Sequence, residues 1–202
     1  MSEKEYGGAG IPQKAVGERT MSQPELQPLH PHDPAYPARL KAIYPAEDAP
    51  LLTVFGNVGL LQRPLLACFC SVKCPGSLIF QAYDRAQQLA SSGLTPIGGF
   101  QSPVERDLLN IWLRGGQPLV FGLARGLEEM RLPAAYRPAL KEGRLLFISA
   151  FDARQKRPTV ETTHQRNRLL AALAEDIWWI HVEPGGKLES LRREVESWRK
   201  GG

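Results

Sequence analysis

Four strand-to-helix turns and one helix carry the residues of this sequence that could hold an anion. The first turn is Ile97-Gly98-Gly99-Phe100-Gln101-Ser102-Pro103. Glycines let a backbone come close to an anion, and a helix starting at Ser102 offers free N–H groups and a positive dipole end. Two readings compete: a phosphate cradle of Gly98, Gly99 and Ser102, or an ordinary tight turn, since a glycine pair is a weak motif. The second turn, Glu183-Pro184-Gly185-Gly186-Lys187, repeats the form and adds the cation of Lys187. Two such loops at one sheet edge favour a shared anion site. The third, Ser71-Val72-Lys73, combines a hydroxyl donor with a cation, and the fourth places Arg125 between Ala124 and Gly126. Both also read as polar loops facing solvent. The helix holds Arg166-Asn167-Arg168. Residues two apart on a regular helix point about 200° from each other. One arginine is therefore expected to meet a phosphate while the other forms an ion pair. Two solvated arginines are the alternative.

No catalytic constellation stands out. His30 and His32 lie near the N-terminus, His181 sits beside Trp178 and Trp179, and His164 precedes the arginine pair. None forms a Ser-His-Asp or Cys-His arrangement in sequence order. Cys68, Cys70 and Cys74 lie close together, but zinc prefers four ligands and no histidine is nearby. Reduced thiols, no metal and no cofactor are expected.

The elements that position these turns alternate. Short apolar runs at 65–70, 94–97, 118–123, 145–150 and 177–182 read as buried strands. Between them, apolar residues recur at helical spacing over 78–90, with Gly93 as a stop. The same spacing recurs after Ser102-Pro103-Val104-Glu105, a capping-box start. Thr162 is read as the cap of a helix through Ala174, and 187–200 as a last helix. The stretch 124–143 reads as loop. This pattern predicts an α/β fold, a Rossmann-like parallel sheet with helices on both faces. Ligands of such sheets sit at the carboxyl ends of strands.

The 202 residues are 43% hydrophobic, enough for one domain with a sizeable core. Residues 1–35 read as a disordered leader, with Met21 as a second candidate start, and 36–202 as the single domain. A net charge of +4, from 25 basic and 21 acidic residues, permits an anionic partner without demanding one. No apolar run is long enough to span a bilayer, and Met1–Thr20 lacks the apolar core of a signal peptide. No membrane partner and a cytoplasmic location are expected.

Taken in order, these motifs resemble the DprA/Smf family. The similarity runs from Tyr36-Pro37-Ala38-Arg39-Leu40 through Leu51-Leu52-Thr53-Val54-Phe55-Gly56-Asn57 to about Leu191. Arg166-Asn167-Arg168 with Leu169-Leu170-Ala171 matches the family's Arg-Asn-Arg segment. Gly98-Gly99-Phe100 falls where the family has a Ser-Gly-Leu-Ala-Arg-Gly loop, and Gly185-Gly186-Lys187-Leu188 falls near its Ser-Gly-Ser-Leu. The resemblance implies a homodimer that binds single-stranded DNA and helps load the RecA recombinase. It departs from the family at Cys70-Ser71-Val72, where the family reads Gly-Ser-Arg, and at Ser102, where it has an arginine. No winged-helix domain is expected within the 202 residues. Two other readings are a nucleotide-sensing module and a hydrolase like the LOG phosphoribohydrolases. Pro184-Gly185-Gly186 resembles the latter's Pro-Gly-Gly-x-Gly-Thr-x-x-Glu motif, but Leu188, Glu189 and Arg192 occupy its Gly, Thr and Glu positions.

Overall fold

The computed structural model describes residues 25–45 and 47–200. In chain order its elements are β1 (Leu26–Leu29), α1 (Ala38–Ile43), β2 (Leu52–Gly56), β3 (Leu65–Cys70), α2 (Gly76–Gln88), β4 (Thr95–Gly98), α3 (Pro103–Gly115), β5 (Leu119–Gly122), α4 (Arg137–Lys141), β6 (Leu145–Ser149), α5 (Val160–Leu173), β7 (Asp176–His181) and α6 (Lys187–Lys200). The strands form one sheet in the order β1-β2-β6-β5-β4-β3-β7. From β6 to β7 all neighbours are parallel, whereas β1 and β2 join antiparallel at the β6 side. The fold is Rossmann-like, and its five parallel strands are the five apolar runs.

Both faces of the sheet are covered. All six residues of β3 are buried, as befits a parallel strand that reads as an unbroken apolar run. Its alternate side chains serve opposite layers. Leu66, Cys68 and Cys70 pack with Ala82, Ala86, Leu108 and Trp112 of α2 and α3. Leu65, Ala67 and Phe69 pack with Leu170, Leu173 and Leu191 of α5 and α6. Trp112 is fully buried and its indole N–H donates to the Ala86 carbonyl at 3.1 Å.

Three expectations change. Of the expected leader, 1–24 lie outside the described residues, while 25–35 contain β1 and lead to the buried Tyr36. Their anchor is β2, against which Leu29 stands opposite Leu52. Thr159, not Thr162, caps α5: the Thr159 Oγ1 accepts from the Thr162 N–H at 3.1 Å, and the Thr162 Oγ1 accepts from the Thr159 N–H at 2.9 Å. Within the expected loop 124–143, a 3-10 turn at Ala134–Tyr136 leads into α4. Ala139 and Leu140 are buried there, which ties the segment down.

The strand order fixes where a ligand would sit. The chain steps from β3 outward through β4, β5 and β6, then returns across β3 to β7. The loops after β3 and β7 therefore diverge into opposite helical layers, and a crevice opens between them at the strands' carboxyl ends.

Candidate anion-binding site

A cavity of about 330 Å³ occupies that crevice. The loop after β3 supplies Cys70, Ser71, Val72 and Lys73, and the turn after β4 supplies Gln101, Ser102 and Glu105. Thr163, Arg166 and Asn167 of α5 form another wall, and Glu183, Gly186, Lys187 and Leu188 close the β7 side. The lining thus carries three cations and two carboxylates. Lys73, on the loop after β3, and Lys187, the first residue of α6, are exposed; Arg166 is buried at 3% exposure.

Hydrogen bonds hold the loops in place. Ser71 N–H donates to the His181 carbonyl at 2.9 Å, which extends the β3–β7 pairing beyond the strand ends. The Ser71 Oγ accepts from the Glu183 N–H at 2.9 Å, stitching the two diverging loops together. Glu183 also contacts the His181 ring, with Nε2 and Oε2 3.3 Å apart.

The glycine pair has a different purpose from the one its spacing suggests. Gly98 and Gly99 do not line the cavity. A Cβ on Gly98 would lie 2.7 Å from the Phe100 ring, and one on Gly99 would collide with the Arg166 guanidinium. The glycines make room for two side chains of this protein, not for a phosphate. Phe100 takes a positive φ of 48°, an uncommon conformation for a bulky residue. Its buried ring is held edge-on to Phe121 and Trp112, with centroids 5.0 Å and 6.1 Å away.

The helix N-terminus beside it is already occupied by a carboxyl group of this protein. The Glu105 carboxylate accepts from the N–H groups of Cys70 at 2.8 Å, Gln101 at 2.8 Å and Ser102 at 3.4 Å. The Ser102 Oγ accepts from the Glu105 N–H at 3.2 Å, completing a capping box around Pro103. Glu105 thus takes the donors that a phosphate cradle would need. Burial pushes its carboxyl above the usual range; the three N–H groups and the Arg166 charge pull against that shift. Sequence reading found the capping box but not the Cys70 contact, which crosses 35 residues.

Arg166 and Arg168 diverge, as their spacing on α5 requires. Arg166 turns toward the sheet, where Nη1 donates to the Gly122 carbonyl at 2.8 Å and Nε to Asn167 Oδ1 at 2.8 Å. Burial lowers its pKa to about 10, partly offset by Glu105, so it stays charged at neutral pH. Arg168 turns toward α6, pairing with Glu194 at 2.7 Å above the Trp198 ring. It is an inter-helix contact outside the cavity. Arg125 also lies outside; its Nη1 reaches only the neighbouring Gly126 carbonyl, at 3.5 Å. The Gly185 N–H is taken by Glu189 Oε2 at 2.8 Å, so of the second glycine pair Gly186 alone lines the cavity.

The hydrolase motif is also accounted for. Arg192, at the position of the motif's carboxylate, pairs with Glu196 one turn along α6 at 2.8 Å. Glu189 is committed to Gly185 and to Arg193. Among the described residues no group of three metal-ligating side chains occurs, and no helix is long and apolar enough to cross a membrane.

Comparison with known proteins places this architecture. No curated protein matches the chain. DNA processing protein A (DprA) from Streptococcus pneumoniae has a similar structure, with a TM-score of 0.62 and 23% identity over 77% of this chain. The match spans 54% of that protein, so this chain covers about half its length. DNA processing protein A from Helicobacter pylori, whose structure is described as revealing a unique single-stranded DNA binding mode, gives a TM-score of 0.57 and 19% identity over 77% of this chain and 68% of that one. At these identities the likeness speaks for the fold. The family model for DNA recombination-mediator protein A matches residues 27–193, most of the chain. The chain belongs to the DNA recombination-mediator protein A family.

Proposed function

We propose that the cavity at the ends of β3, β4 and β7 binds the phosphate backbone of single-stranded DNA. The observation that carries this reading is the placement of Lys73, on the loop after β3, and Lys187, at the start of α6, around one cavity backed by the buried Arg166. Two exposed cations at the rim attract the phosphates. The hydroxyl hydrogens of Ser71 and Ser102 and the NH2 of Asn167 supply donors around them. Family membership and the single-stranded DNA described for the H. pylori relative support the choice of ligand. The family resemblance further supports a cytoplasmic homodimer that delivers its DNA to RecA. Light scattering tests the dimer, and RecA capture on a protein-coated strand tests the partnership.

A second reading is a nucleotide-sensing module. The cavity volume favours it, because about 330 Å³ suits one nucleotide better than a strand. One titration separates the two: fluorescence anisotropy of labelled oligo-thymidine at low and moderate salt, with mononucleotides as competitors. The DNA reading expects strand binding that weakens steeply with salt, because phosphate contacts release counterions. No strand binding, with a mononucleotide bound instead, overturns it in favour of the sensor.

A further inference from the structure

Cys70 and Cys74 bracket Ser71-Val72-Lys73, the loop that forms one wall of the cavity. Cys70 ends β3 at 4% exposure, and Cys74 packs against the same apolar cluster from a half-exposed position. The two side chains adjoin in one apolar cluster, and the Cys74 Sγ donates to the Pro75 carbonyl at 3.8 Å. The β3 side of this loop is fixed by Glu105 at Cys70 and by the Glu183 N–H at Ser71. The third cysteine is placed differently. Cys68 is fully buried in mid-strand, and its Sγ donates to the Leu66 carbonyl at 3.5 Å.

We propose that Cys70 and Cys74 are an oxidisable dithiol, which a hydroperoxide converts to a disulfide that fixes the Lys73 loop. The thiol chemistry stands whatever the cavity binds; its bearing on ligand binding rests on the function proposed above. Cys74 is the more exposed thiol and reacts first. Its thiolate attacks the outer peroxide oxygen, the O–O bond breaks, and the leaving oxygen takes up a proton. Cys74 is then a sulfenic acid. The Cys70 sulfur attacks the Cys74 sulfur, an S–S bond forms, the S–O bond breaks, and the departing hydroxide leaves as water with the Cys70 proton. The two thiols give up two electrons and the peroxide accepts them. Burial pushes the Cys70 thiol up to about 12, which keeps it from reacting first with the peroxide and slows its attack on the sulfenic acid.

The test needs no ligand. The full chain is treated with hydrogen peroxide, alkylated, digested with trypsin without reductant and weighed. Trypsin cuts after Lys73, so a Cys70–Cys74 bond joins segment 42–73 to segment 74–85. The expected product is that joined pair, lighter than the two segments by two hydrogens and separated by reductant. It persists in Cys68→Ala and disappears in Cys74→Ser, a change at a half-exposed site. The proposal is overturned if Cys74 over-oxidises to sulfinic acid with no joined pair. It is equally overturned if the joined pair survives in Cys70→Ala, which would place the bond at Cys68.

Discussion

Replacing Glu105 with glutamine keeps the shape while exchanging one acceptor oxygen for an NH2, and so isolates the buried carboxyl group at the start of α3. Glu105 Oε1 accepts one backbone N–H and Oε2 accepts two. A glutamine keeps one oxygen, and its NH2 must then face at least one of those donors. A lost hydrogen bond to a charged group costs about 1.5–3 kcal/mol. Arg166 feels the Glu105 charge without a direct ion pair, so losing that charge adds less than breaking a buried pair would. Against this, glutamine escapes the desolvation that pushes the Glu105 carboxyl up. The balance is a loss of about 2 kcal/mol, which lowers Tm by roughly 4–8 °C for a domain of this size. Urea denaturation of Glu105→Gln, Arg166→Met and the double variant measures both the loss and the coupling. The double variant should be less destabilised than the sum of the singles by about 1–3 kcal/mol. A loss below about 1 kcal/mol for Glu105→Gln would refute the claim that its carboxyl holds this turn together, and full additivity would refute its coupling to Arg166.

Gly99→Ala should displace the Arg166 guanidinium from the Gly122 carbonyl and cost about 1.5–3 kcal/mol. In an Arg166→Met background most of that penalty should vanish, and an equal penalty in both backgrounds counts against the contact. Lys73→Ala and Lys187→Ala should each weaken oligo-thymidine binding and lower the log–log salt slope by about one, with Tm unchanged. Unchanged slopes would remove these lysines from the site. Trp112→Ala should destabilise by about 3–5 kcal/mol, read by denaturant midpoint. Glu189 is held below the usual carboxylate range, first by the Gly185 N–H and then by Arg193. Its contribution is therefore present above the unfolded carboxylate pKa and is lost as pH falls through the lower folded value. The Gly185 amide should keep its exchange protection down to a pH below about 4.3, the ordinary glutamate pKa, and protection lost well above that value would contradict the cap.

The parallel strands were legible because a strand covered on both faces must be apolar at every position, and Leu65–Cys70 and Leu145–Ile148 are. The β1 strand was not: it is Leu-Gln-Pro-Leu at the sheet edge, buried only at Leu29, and edge pairing leaves no run of apolar residues. The start of α5 was misplaced by three residues because Thr159 and Thr162 are both good caps, and their reciprocal hydrogen bonds decide between them. The glycine pair shows the limit more sharply. Sequence can say that space was needed beside Gly99, but the occupant comes from position 166, brought there by the return of the chain across the sheet. The same limit applies to Glu105. Its capping role is written three residues away, whereas its contact with Cys70 exists only once β3 and β4 lie side by side. Lys73 and Lys187 were found because cations beside strand ends stand out, and their convergence required the strand order.

The antiparallel β2 has a consequence for how the chain is made. Its partner is β6, with Thr53 opposite Ser149, so an early strand waits for a late one. Roughly ninety residues must be synthesised between them, which at about 5–20 residues per second takes roughly 5–20 s. Until then β1 and β2 can pair with each other, but the second edge of β2 has no partner. β4, β5 and β6 each pair with the strand made just before, whereas β3 shares the wait, because its second edge pairs with β7, the last strand made. The N-terminal ribbon therefore docks after β6 is made. During that interval Leu52 and Val54, both buried in the finished protein, are open to water and to chaperones.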